Sequence, residues 1–407
     1  MLPDGGDLAR MSTLPAFDPF APDSPSHTGG AADGAALVQG DYGFAVLDFD
    51  LATKVLRDTR FINAALTLME QFGITDGPVH DFRANSLIMA EGKRHMRLRT
   101  PLARFMGPTT VEDIRTVLRN ILADIDPGTT AGPVDFHTAV DQKIPARVYC
   151  HLAGAPADDA PFVASLSART LALLQRDPNL TASILAAYDE LFSYLRDLIA
   201  RKRRAGLGDD MLSFLIRQED EGKLSSEELL SEATAMLEAS SVNTAHQTGL
   251  VVWTLLRDRA AWARLVENPS LIPAAVVEAC RLYPRPGIVS KIASTDIELD
   301  GVSIPAGSEV HVAVWSANRD PARFEEPSTF DLDRERNQPL TFSTGLHGCL
   351  GQSLAKVEME EVVRYLANTY PNAVVVEGAT DIGHAGGRWL VGTLTVDLAP
   401  VTKATRS

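Results

Sequence analysis

Cysteine is scarce in this chain, and nothing in it reads as a linker. Its 407 residues include three thiols, Cys150, Cys280 and Cys349. An odd, widely spaced set with no CxxC pair excludes a disulfide scaffold and points to reduced thiols in a cytoplasmic setting. No apolar run approaches the roughly 18 residues of a membrane span. The first residues are acidic and proline-rich where a signal peptide needs a basic and then an apolar stretch. A soluble protein is therefore expected. No proline, glycine or serine tract is long enough to link two domains. One large domain is expected over 41–400, between an irregular arm at 1–40 and a short tail at 401–407. Lysine and arginine number 38 against 53 acidic residues, and the net charge of -15 disfavours nucleic acid and anionic membranes as partners. A Gly-rich dinucleotide motif is missing as well, which argues against a nicotinamide or flavin site within the chain.

What the chain has is helix. With 45% hydrophobic and 22% charged residues, it has the composition of an ordinary globular protein with a large core. Between Val111 and Leu224 helical periods follow one another, among them 116–125, 144–152 and 186–204, broken at 127–128, 156–158 and 206–209. Ser225-Ser226-Glu227-Glu228 reads as a capping box. The pattern after it runs without proline to about Asp258, one helix of roughly 33 residues and about 50 Å. Its ends are apolar, but Glu238, Ser240, Ser241, Asn243, Thr244, His246 and Gln247 crowd its middle. Polar groups are rarely buried without a use. Alternating stretches at 42–47, 296–299, 302–304, 309–314, 374–377 and 392–398 predict strands. Residues 61–86 show no sustained period, and 383–388 reads as an irregular loop. The fold class is mainly α with small β-sheets.

The chemistry concentrates in Phe342-Ser343-Thr344-Gly345-Leu346-His347-Gly348-Cys349-Leu350-Gly351. An amphipathic helix is expected from Gln352, with Leu354, Val357, Val362 and Leu366 on one face. Its free N–H groups then point back at the Cys349 sulfur and favour the thiolate, a soft metal ligand. The glycines let the loop turn sharply and lie against something flat. With Phe342 and a basic residue at His347, this stretch resembles the cysteine loop of the haem-thiolate monooxygenases, the cytochrome P-450 superfamily. The likeness extends over roughly 40–400. His95 and Arg99, four apart on one helical face, match the family pair that holds a haem propionate. Ser240-Ser241-Val242-Asn243-Thr244 is similar to the oxygen-activating motif of the family's central helix, with Asn243 in place of the usual acid and Ser241 in place of the usual glycine. Glu278 and Arg281, joined by Arg334, resemble the family's structural triad. Lys291 stands where the family usually carries an arginine on a propionate.

The resemblance implies a cytochrome P-450 fold, one domain enclosing haem b, bound noncovalently because the chain has no CxxCH motif. It implies a monomeric, bacterial-type monooxygenase of secondary metabolism in which the Cys349 thiolate is the iron ligand, Phe342, His347 and Gly351 shape the cofactor loop, and Thr244 and Asn243 manage protons. Electrons must come from outside, so a ferredoxin and its reductase are implied partners, docking on Arg97, Arg104, His347, Lys356 and Arg364. The expected pocket wall is Leu87, Ile88, Met89, Val242, Ile288, Val289 and Trp389, mainly apolar, which suits a mainly apolar small molecule. Two other readings fit the same residues. A peroxygenase would use hydrogen peroxide directly, and loss of the acid at Asn243 favours it. A non-enzymatic haem sensor would need no redox partner.

Overall fold

Helical periods become helices where the sequence places them. The computed structural model describes residue 14 and residues 35–398, apart from 72, 129–131, 176, 336–337 and 386. The long helix Thr181–Ala205 shows the logic. Ile184, Ala187, Tyr188, Leu191, Phe192, Leu195 and Leu198 recur every three or four residues and are buried. Lys202, Arg203 and Arg204 sit in its last turn, where cations complement the helix dipole. Gly206, at φ 99°, follows as its C-cap. Against it pack Ala160–Thr170, Met211–Asp220 and Ser226–Ser240; Ile144–Ala153 packs on those three in turn, and Pro108–Asp124 on Ile144–Ala153. Each fully buried leucine or isoleucine of these faces contributes about 1.5–3 kcal/mol.

Small sheets lie beside the helices. The largest has five strands in the order Leu37–Gly40, Gly43–Val46, Glu309–Ala313, Ile288–Ala293, Phe61–Asn63. Gly43–Val46 pairs parallel with Glu309–Ala313, Phe44 opposite Val310, and Ile288–Ala293 pairs antiparallel with the same strand, Lys291 opposite Val310. This register carries Lys291 inward, 2% exposed.

Three sequence expectations change. Leu37–Gly40 is a strand, so the part of the expected arm nearest Tyr42 belongs to the sheet, held by pairing with Gly43–Val46. The rest of the arm, except Leu14, and the tail at 401–407 lie outside the described residues. The expected loop at 383–388 is the end of a hairpin, Asp381–Ala385 against Arg388–Thr393, which cross-strand pairing stabilises despite its weak alternation.

The third change lies at the centre. The capping box forms as expected, Ser225 with Glu228. The single long helix does not: Ser226–Ser240 ends, Ser241 leaves the helical region at φ -95°, ψ -84°, and Val242–Arg257 begins. The hydroxyls of Ser240 and Ser241 both donate to the Leu237 carbonyl, at 3.2 and 3.0 Å. That carbonyl is the acceptor the Ser241 N–H uses in an unbroken helix, and such back-bonding bends helices. The polar waist is therefore a break.

Candidate active site

Local turns fix the cysteine loop. The Cys349 N–H donates to Phe342 O at 2.8 Å and Gly348 N–H to Gly345 O at 3.2 Å. Gly345 lies at φ 72°, and a Cβ there would stand 2.6 Å from Leu56 O, so both its conformation and its packing require glycine. Asn318 ties the loop to the core, accepting from Leu340 N at 2.7 Å and donating to Thr341 Oγ1, which itself donates to Cys280 O. The helix Gln352–Thr369 starts three residues after Cys349. Cys349 is exposed, but into an internal cavity of about 560 Å³. Burial among protein atoms pushes its thiol up, outweighing the Gly351 N–H, Arg99 and Lys356 that pull it down. The helix N-terminus, expected from the sequence to favour the thiolate, does not by itself offset that burial. Cys150 and Cys280 are buried thiols pushed to about 12, as befits packing residues.

Cations gather on the same cavity. His95, Arg99, Lys291 and His347 all line it. His95 is fully buried, neither ring nitrogen has a partner among the described residues, and burial with His347 and Arg99 nearby holds it down to about 4, so it is neutral. Arg99 Nη2 donates to Gly348 O at 2.6 Å, fastening its helix, Gly92–Phe105, to the cysteine loop. The Lys291 ammonium has no ion pair among the described residues, and burial lowers its pKa. His347 is engaged, with Nε2 2.9 Å from Glu91 Oε1 and its ring edge-on to His95 at 4.8 Å. Lys291, buried and without an ion pair among the described residues, and the half-buried Arg99 make this side of the cavity a cradle for an anionic ligand.

The broken helix supplies a further wall. Asn243 and Thr244 line the cavity, and Asn243 Oδ1 is buried without a partner among the described residues. Leu87, Ile88, Ile288 and Val289 line it as expected; Phe342 and Gly351 do as well, and a Cβ at Gly351 would meet no protein atom. Met89, Val242 and Trp389 are not among the lining residues. Val242 is turned about 100° from Asn243 on the helix. Trp389 packs edge-on against Tyr283 and His384 instead, and Met89 closes the 3₁₀ turn behind Leu87 and Ile88.

Glu278 forms a pair of hydrogen bonds with Arg281, at 2.7 and 2.8 Å, and one with Arg334 Nε at 3.1 Å. Arg281 reaches Asn318 O and Pro327 O. Glu278 and Arg281 are almost wholly buried. Of the expected docking patch, Arg97 pairs with Glu228, His347 with Glu91 and Arg364 with Glu361, while Lys356 lies over the Phe342 ring at 5.3 Å and Arg104 is exposed. Most of those charges are answered within the chain. Sequence reasoning missed a buried network that also lines the cavity. Arg83 pairs with Glu238 at 2.9 Å, and Tyr188 donates to the same carboxylate. It missed Arg285 and Glu358 too, both lining residues, whereas Arg388, expected in the wall beside Trp389, does line the cavity. Buried charge in a polar run was the one available signal, and it pointed to Glu238 alone.

Comparison with known proteins agrees with this arrangement. The cytochrome P-450 family model matches residues 168–366. Luteothin monooxygenase of Streptomyces thioluteus is 32% identical over 364 residues, covering 88% of this chain and 89% of its own. 6-Deoxyerythronolide B hydroxylase of Saccharopolyspora erythraea is 32% identical over 307 residues, 75% of each chain. Epothilone B-bound cytochrome P-450epoK superposes with a TM-score of 0.86 over 94% of this chain and 100% of its own, at 24% identity, a likeness of fold. A thiol loop, a cationic cradle and a broken central helix around one cavity thus stand in a chain that belongs to the cytochrome P-450 family of haem-thiolate monooxygenases.

Proposed function

We propose that the chain binds haem b in the cavity at Cys349 and oxidises a mainly apolar small molecule, drawing electrons from a ferredoxin and its reductase. The observation that carries this is the gathering on one cavity of a thiol, two cations with no ion pair among the described residues, Lys291 and Arg99, and the side chains of the helix break. The residues fit the group. Cys349 is a soft ligand for iron, Lys291 and Arg99 offer positive charge to propionates, neutral His95 offers an N–H, and the bare face at Gly351 admits a flat ring.

Bound haem supplies iron chemistry that places one oxygen atom of O2 on the substrate. The chain does the rest. Leu87, Ile88, Ile288 and Val289 seat an apolar substrate and exclude water. Thr244 Oγ1 passes protons inward through water, and the Asn243 amide orients that water without being able to donate a proton of its own at physiological pH. Arg83, Glu238 and Tyr188 join three helices, Gly77–Asn85, Thr181–Ala205 and Ser226–Ser240, and so hold the pocket together. Because Glu238 is committed to that network, it is not the missing proton donor.

The test is spectroscopic and then kinetic. Reduced protein with carbon monoxide should show the absorption band of a thiolate-ligated haem, and Cys349→Ser should lose it; a band that persists in Cys349→Ser removes this cysteine as ligand. Turnover should follow ferredoxin, reductase and NAD(P)H. The amide at Asn243 favours a second reading, a peroxygenase, for which hydrogen peroxide alone would sustain turnover as fast. No turnover with either electron source would instead fit a haem sensor.

A further inference from the structure

A cation faces this cavity away from the cradle at Lys291. Arg285 lies in the turn between the helix Ile272–Leu282 and the strand Ile288–Ala293 and lines the cavity with 7% exposure. Its turn is rigid. The Gln247 side chain accepts from Arg285 N at 2.9 Å and donates to Tyr283 O at 3.0 Å. Gly287 N donates to Gly387 O at 3.1 Å, and a Cβ on Gly287 would fall 2.0 Å from the Trp315 ring, so backbone and indole are in close contact.

The guanidinium itself is held at one corner. Arg285 Nη1 donates to Trp389 O, whereas Nε is buried without a partner and no hydrogen bond to Nη2 is present among the described residues. The charges around it do not neutralise it. Arg388, from the hairpin carrying Trp389, lines the same cavity and repels it. His246 nearby is driven down to about 3 by burial and by Arg285 itself, so it is uncharged. Glu238 is engaged by Arg83 and Tyr188, and Glu309 by Gln71. Burial beside Arg388 lowers the Arg285 pKa to about 9, the mark of a cation short of an anion.

We propose that Arg285 is the substrate's anion anchor: the molecule oxidised is an organic acid whose carboxylate meets Arg285 Nη2 while its apolar body lies along Ile288, Val289 and Leu87. The proposal rests on the haem reading above and narrows its substrate class. A carboxylate fits because Nη2 carries N–H donors without a partner among the described residues, and a hydrogen bond from a guanidinium to an ionised acid is among the strong ones. A propionate of the cofactor is the other anion to consider. It is drawn to Lys291, and Ile288 to Lys291 alone spans about 10 Å of extended strand, with Arg285 beyond it.

The experiment uses the haem-loaded protein and imidazol-1-yl alkanoic acids of graded chain length, each with its methyl ester. Imidazole binds haem iron directly and reports through its absorption shift. In the unaltered protein the acid of best-fitting length should bind about tenfold more tightly than its ester. In Arg285→Met the acid should weaken to the ester's affinity while the ester is unchanged. Equal affinity of acid and ester at every length, or an undiminished gap in Arg285→Met, overturns the proposal. So does loss of haem from a folded Arg285→Met protein, which would give Arg285 to the cofactor. If Arg285→Met does not fold, Arg388→Gln should narrow the gap at least threefold, and an unchanged gap there overturns the proposal equally. Failure of plain imidazole to shift any haem band in the unaltered protein would instead sink the haem reading itself.

Discussion

The proposed proton chemistry rests on single side chains. Thr244, on the helix that restarts at Val242, has the hydroxyl nearest in sequence to the break on that helix, and Asn243 beside it carries an amide that cannot ionise. Thr244→Ala should therefore cut product formation by about a hundredfold, the low end for loss of a positioned proton donor, with more electrons appearing as peroxide and substrate affinity nearly unchanged. Asn243→Asp should not lower coupling. Peroxide yield per NAD(P)H consumed checks both, and normal coupling in Thr244→Ala would place the relay elsewhere. Glu232 gives a pH signature. It is fully buried, accepts from Leu87 N at 2.8 Å, and burial plus Glu228 raise its carboxyl from 4.5 to about 8 against the weaker pull of Arg94 and Arg97. A raised carboxyl binds its proton more tightly in the folded state, so its stabilisation is complete below about pH 4.5 and is lost as pH rises towards 8. The slope reaches at most about 1.4 kcal/mol per pH unit. Glu358, also raised to about 8, contributes in the same direction. Melting temperatures from pH 5 to 8 should fall in the unaltered protein and fall less steeply in Glu232→Gln. At this scale the sequence reads well where a role is local, as for Cys349 or Glu278 with Arg281. It is silent on Arg83 and Arg285, whose meaning comes from neighbours a hundred or more residues away.

Elements fail or hold through a few joints. Glu278 answers two arginines and the Asp331 N–H from the helix Ile272–Leu282, so the joint ties that helix to the segment before the cysteine loop. Removing one partner of a buried pair costs about 3–5 kcal/mol, a large part of a domain's stability. Glu278→Ala should accumulate poorly or lose haem, measured as haem absorbance per folded protein; a stable, haem-loaded but inactive variant would make Glu278 a participant in the chemistry. Gly345→Ala should be milder, about 1–3 kcal/mol, since the loop must shift from Leu56 O and abandon φ 72°. A lower melting temperature with a weakened thiolate band is the expected result. The central helix shows what periodicity hides. Apolar spacing is the same before and after Ser241, so pattern alone joins Ser226–Ser240 to Val242–Arg257, while the break is made by two hydroxyls competing for one carbonyl. The hairpin Asp381–Thr393 was illegible for the opposite reason, since its order comes from pairing and not from its own alternation.

The molecule as a whole carries unanswered charge at its centre. Lys291 and Arg285 are buried cations without carboxylate partners among the described residues. An anionic ligand that binds the folded state alone raises stability by mass action, about 2.7 kcal/mol at a hundred times its dissociation constant. Protein stripped of haem should thus melt at lower temperature than the loaded form and regain the difference as haem is titrated back; coincident melts would show that the cradle stabilises nothing. The fold class and the order of motifs were legible from sequence because each lies on a short segment. The cavity was legible only in part: Leu87, Ile88, Ile288 and Val289 line it as expected, but its wall runs from Asn63 to Arg388 and takes in Arg83, Glu238 and Arg285, which no short segment announces. That span has a consequence for biosynthesis. The strand Gly43–Val46 waits for Glu309–Ala313 as its parallel neighbour, and the cysteine loop settles against Leu56, made almost three hundred residues earlier. Contacts so distant in sequence form late and slowly. On the ribosome, the early strands and the Phe49–Arg57 helix therefore emerge with their partners still unmade, and the cofactor has no complete place to enter until the hairpin at Arg388 has been translated. A complete haem site therefore exists only once nearly the whole chain has been made.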